Sequence, residues 1–147
     1  MTPALLSENV RIVRSHNAAA AGTTDLNGAS IDLQTLGAQA VLFLLALGTL
    51  TASQVTTLKA QSSPDDSTWT DISGGVTVAA ADADSNKCLA LDVRHPPARY
   101  VRAVVDRGTA NAVVDAVIAL PYDFRTLPAT QSTTYVSSLV KVVDPAS

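Results

Sequence analysis

The sequence predicts an all-β protein, an antiparallel β-sandwich or jelly roll with extended N- and C-terminal arms. Strand-like segments recur roughly every 10–15 residues with Gly, Pro, Asn or Asp between them. Apolar residues make up 47% of the chain, but Ala and Val dominate that share and aromatics supply only 4%, a composition suited to thin β-layers. No segment carries a convincing long helical period. At 147 residues the chain fits one domain with a sizeable core.

Residues 1–9 read as a loose N-terminal arm and 10–120 as the sandwich domain. V-R-I-V-R-S at 10–15 is a short strand. Residues 16–27, rich in Ala, Gly, Thr and Asn, read as a loop. Ala29, Ile31 and Leu33 alternate with polar neighbours, the period of a half-buried strand. The run A-Q-A-V-L-F-L-L-A-L-G-T-L at 38–50 also fits one helix face; its bracketing glycines and strand-like neighbours favour a strand buried on both faces. It is shorter than the ~20 residues of a membrane-crossing helix.

Residues 54–61 give the next strand. S-S-P-D-D-S-T-W-T-D-I-S-G-G then reads as a tight turn at Pro64-Asp65-Asp66-Ser67 and a strand that Gly74-Gly75 ends. Residues 76–78 add a short strand before the polar loop A-A-A-D-A-D-S-N. Leu89, Leu91 and Val93 alternate cleanly until His95-Pro96-Pro97 breaks the strand. Residues 98–106 and 111–120 are two strands joined by the hairpin signal R-G-T-A. Trp69, Ile72, Leu89, Leu91 and Tyr100 are the expected core markers.

From Pro121 the character changes. F-R-T-L lies between prolines, A-T-Q-S-T-T is loose, and Y-V-S-S-L-V-K-V-V-D at 135–144 regains a strand pattern. Residues 121–147 are either an edge strand of the same domain or an arm that adds a strand to a neighbouring subunit. As an arm they offer Phe124, Arg125, Leu127, Tyr135, Val136, Leu139 and Val140 as interface residues. Arg99 and Arg102 either pair with Asp92 or Asp106 on a neighbouring strand or join that interface.

Catalysis finds no support. His16 and His95 lie in separate loops, no nucleophile motif is present, and Gly74-Gly75 lacks the features of a phosphate loop. Asp82, Asp84 and Asn86 begin like a calcium loop, but Lys87 and Val93 stand where that loop needs Gly and Glu. Neither enzyme activity, a cofactor nor a metal is expected. A lone Cys88 excludes an intrachain disulfide and suits a reducing cytoplasm. The opening residues lack the pattern of a secretory signal. A net charge of −3 with scattered basic residues provides no nucleic-acid footprint, and no membrane partner is expected.

The W-T-D-I hairpin and A-R-Y-V-R-A-V-V together resemble discoidin-type β-sandwich lectin modules, in which such a tryptophan pins the hairpin to the core. In longer compass, V-L-F-L-L-A-L-G-T-L-T, V-T-T-L-K-A-Q-S-S-P-D-D-S-T-W-T-D-I, D-A-D-S-N-K and P-A-R-Y-V-R-A-V-V-D-R-G-T-A-N, in that order, resemble small virion proteins of tailed bacteriophages. The resemblance covers residues 36–120, with Asp66 where those proteins usually carry Gly. It implies a capsid cement (decoration) protein on the outer surface of the phage head, assembled in the host cytoplasm. Its implied partners are the major capsid protein and further copies of itself, as a dimer or trimer. A tail or baseplate component, or a carbohydrate-binding module, are the alternatives.

Overall fold

The computed structural model describes residues 5–143. Ten strands form two antiparallel sheets: β1 (Val13–His16), β2 (Ala19–Gly22), β3 (Leu26–Asn27), β4 (Ile31–Asp32), β5 (Ala38–Leu50), β6 (Val55–Ser63), β7 (Thr70–Val76), β8 (Cys88–Arg94), β9 (Tyr100–Gly108) and β10 (Ala112–Phe124). Sheet A runs β1-β10-β5-β8, with β2 also on β10; sheet B runs β3-β9-β6-β7, with β4 also on β9. The all-β sandwich is therefore the architecture.

The core lies between the two sheets. Val41, Phe43, Leu45 and Leu47 of β5 and Val114, Val117 and Ala119 of β10 meet Leu58 and Ala60 of β6 and Val101, Ala103 and Val105 of β9. The β5, β6 and β9 residues occupy alternate positions of their strands, so the period-two pleat assigns each set to one face; β10 keeps its inward face across a register shift between Val114 and Ala116.

Several expectations need correction. The predicted loop at 16–27 contains β2 and β3; strands this short, one of them nearly all alanine, carry little signal of their own and form because β10 and β9 offer ladders. The alternating stretch 29–33 becomes the two-residue β4 followed by a single helical turn, α1 (Leu33–Leu36). Asp32 caps that turn by accepting from the Thr35 amide, and Gly37 closes it at φ 71°. Gly74-Gly75 does not end β7, which continues to Val76, so the separate strand at 76–78 is absent.

The turn before β7 forms as expected. Asp65 Oδ1 accepts from the Ser67 amide at 2.9 Å and the Thr68 amide at 2.8 Å, and these bonds hold its carboxyl below the usual range. Asp66 sits at φ 61°, a left-handed conformation that glycine adopts freely and Asp tolerates.

The domain boundary at 121 also moves. β10 continues through Pro121 and Tyr122 to Phe124, all paired with β5. The Pro121 carbonyl accepts from the Arg11 amide at 2.9 Å, so the side of the backbone lacking its N–H faces the β1 flank and the β5 ladder stays intact. Residues beyond Phe124 return to their own domain. Arg125 N donates to the Gly37 carbonyl, and Ala129 N to that of Glu8 at 2.7 Å. Gln131 accepts from Ile12 N and donates to the Ser7 and Val10 carbonyls. The described part of the expected N-terminal arm is thus held against 129–131, its residues Leu6–Glu8 forming a 3-10 turn. Residues 1–4 and 144–147 lie outside the described residues. The strand expected at 135–144 is absent from its described part, 135–143.

Candidate interaction surface

The run at 38–50 is a strand, but only one of its faces is fully buried. Leu42, Leu44 and Ala46 lie in the opposite phase from the core residues and are half-buried on the outside of sheet A. Across the ladder they pair with Leu120, Ile118 and Ala116 of β10, themselves half-buried. On the other side Leu44 faces Ala90 and Ala46 faces Cys88 of β8, both exposed. The result is a broad apolar sheet face that nothing in the described chain covers.

A polar border closes one end of this face. The Tyr122 hydroxyl donates to Asp92 at 2.6 Å, spanning from β10 to β8, and Arg94 pairs with Asp123 at 3.1 Å. Ala40 lies between these strands with no exposure. The hydrogen bond to the Asp92 carboxylate, reinforced by burial, pushes the Tyr122 hydroxyl up to about 12.

The outside of sheet B has the opposite character. Arg102 donates to Gln61 at 2.9 Å, Gln61 donates to Asp71 at 2.8 Å, and Lys59 pairs with Asp71 at 3.5 Å. The Arg102 guanidinium stacks on the Trp69 ring at 4.4 Å from its centroid. Trp69 is half-buried and outside the core cluster, correcting its expected core place. It pins the hairpin from outside, through an arginine. With its ring face occupied, it is not an open platform for a sugar.

Ile72, Leu89 and Leu91 pack against the core while remaining partly exposed. Tyr100 is half-buried outside that cluster, with the Arg99 guanidinium 5.0 Å above its ring. Arg99 pairs with neither Asp92 nor Asp106. Its two-pronged partner is Asp32, at 2.8 and 2.6 Å, which holds the Asp32 carboxyl far below the usual range.

The proposed interface residues of 121–147 separate into two groups. Phe124 packs against the core and leaves the interface set. Arg125 and Leu127 are exposed beside the return of the chain. Tyr135 edges a hollow of about 170 Å³ with Arg11, Val13 and Ile31, and Val136 is half-buried. Beyond them Leu139, Val140, Val142 and Val143 are exposed, Val140 by 78%.

Elsewhere, polar side chains serve the fold. Asp82 accepts from Ser53 N and Gln54, while Asp84 accepts from Ala81 N and pairs with Lys87. These carboxylates bond the loop to itself and to the start of β6. His16 and His95 stay apart in the fold, on sheet A's β1 edge and after β8. Among the described residues no group of three or more His, Cys, Asp or Glu could hold a metal ion, and no helix is long and apolar enough to cross a membrane.

The apolar face of Leu42, Leu44, Ile118 and Leu120 was absent from the sequence-based interface. Its signal was present, because 38–50 is apolar in both phases of a strand. A strand in the middle of a parallel sheet has that pattern when covered twice; here the second cover is missing. The chain matches no protein-family model, and no curated protein is significantly similar to it.

Proposed function

We propose that this chain is a decoration protein of a tailed-phage head, which binds the outside of the shell and bridges neighbouring major capsid subunits. The observation that carries the reading is the uncovered apolar face of β5 and β10 opposite a densely hydrogen-bonded polar face. An isolated sandwich gains nothing from leaving Leu42, Leu44, Ile118 and Leu120 toward water. A protein that docks one face on a shell and turns the other to solvent needs this asymmetry. The ordered resemblance of four segments to small virion proteins supports the same reading.

In this role the molecule acts mechanically. Sheet A seats on the capsid, the sandwich transmits load, and repetition over a symmetric lattice multiplies modest single contacts. The test is co-sedimentation with phage heads stripped of the protein. The double variant Leu44→Asp, Leu120→Asp should remain folded by circular dichroism and lose head binding. Binding equal to that of the unsubstituted chain would remove sheet A from the interface. Saturable binding to isolated tails rather than heads would instead favour a tail component.

A further inference from the structure

Of the sheet edges, β8 is the open one. The β1 edge is closed by the Gln131 side chain on Ile12 N at 2.8 Å and by Ala29 N on the Ser15 carbonyl at 2.8 Å. The β7 edge carries a register shift and a left-handed Gly74 at φ 75°, features that blunt an edge. The β3 and β4 edge consists of two-residue strands. By contrast β8 pairs with β5 over seven consecutive residues without a shift.

The orientation of its backbone follows from the bonds at each end. Leu47 N donates to the Lys87 carbonyl and His95 N to that of Gln39. The odd-numbered residues therefore face β5, and Cys88, Ala90, Asp92 and Arg94 turn their amides and carbonyls outward.

The same chain carries a segment with complementary needs. Residues 137–143, S-S-L-V-K-V-V, make no hydrogen bond within the described chain. They are rich in β-branched residues and expose Leu139, Val140, Val142 and Val143. Their length equals that of β8.

We infer that residues 137–143 of one copy pair as an added strand along the β8 edge of a second copy. A second copy is required by reach. Tyr135 lies at the β1 side of the molecule, against Arg11, Val13 and Ile31, and the next residue, Val136, donates its amide to the Ser132 carbonyl. From β1 past β10, β5 and β8 is four strand spacings, about 19 Å. The chain advances at most about 3.5 Å per residue, so residue 137 cannot reach the far edge of its own sheet. Each copy thus donates at one edge and accepts at the opposite one, a heterologous contact. This inference stands apart from the head-binding reading, since it concerns the free protein.

Sedimentation velocity of the full chain tests it. Ala90→Pro removes an outward amide and leaves the β5 ladder whole, giving a donor-only protein. Leu139→Pro with Val140→Pro gives an acceptor-only protein, blocked in either strand phase. The unsubstituted chain should associate and each variant alone should be monomeric. An equimolar mixture of the two variants should recover one-to-one complexes, which misfolded variants would not form. A monomeric unsubstituted chain, or an Ala90→Pro variant that self-associates normally, overturns the inference.

Discussion

Asp106 lies at the β3 flank of β9 beside Asp25, and a hydrogen bond between the two carboxyls, with burial and the Asp25 charge, raises the Asp106 carboxyl above its ordinary 3.8. A raised acid favours the fold while protonated, so its contribution is complete below 3.8 and is lost as pH rises through the folded value. Asp106→Asn should therefore melt higher than the unsubstituted chain near neutral pH, and the gap should close in acid. Asp32, Asp65, Asp71 and Asp84 are all lowered and work in the opposite sense. Their contribution is present above 3.8 and is lost as pH falls through their depressed values. Thermal melts of both proteins across the acid range separate the two effects; an Asp106→Asn melt that parallels the original at every pH would contradict the assignment.

At the scale of elements, Arg107 joins segments that the sequence left as a loop. It is 5% exposed, and its guanidinium donates to the carbonyls of Thr24 at 2.8 Å, Ala20 at 2.9 Å and Ala112 at 2.7 Å. The stretch from β2 to β3 is thereby tied to β9 and β10. Arg107→Ala leaves those carbonyls without their donor and should cost about 2–4 kcal/mol, read by urea denaturation. A loss no larger than that of an exposed-site substitution would mean water replaces the guanidinium. The signal for this residue lay in the alternation, since Arg107 continues the inward phase of Val101, Ala103 and Val105. Ending the strand at 106 hid it. The long strands β6, β8, β9 and β10 were legible because alternation and turn residues agreed, and β5 because glycines bracket its apolar run; β4 fell inside the expected strand at 29–33, whereas β2 and β3 were hidden, because two to four residues become strands only when a long neighbour supplies the ladder. Pro121 misled for a related reason: its missing amide falls on the β1 flank, so the β5 ladder stays whole and the strand continues.

For the whole molecule, the sandwich could be read from the chain, but the contrast between its two outer faces could not. Periodicity shows that 38–50 is apolar in both phases; only the sheet order shows that β10 and β8 flank it and that nothing lies above it. The tail repeats the lesson. Its strand pattern at 135–144 is real in composition, yet its described part has no ladder in its own chain, and β8 has a vacant edge beyond the tail's reach. A sandwich with one apolar face, one hydrogen-bonded face and an unpaired strand-like segment suits the proposed role of repeated contacts on a shell. In the proposed role those contacts hold a pressurised shell together. The deciding experiment follows the temperature at which packaged DNA escapes from phage heads stripped of this protein, before and after adding it back. The release temperature should rise with occupancy and saturate when the sites are full, and the Leu44→Asp, Leu120→Asp variant should leave it unchanged. Saturated heads that release their DNA at the same temperature as stripped ones would contradict that role.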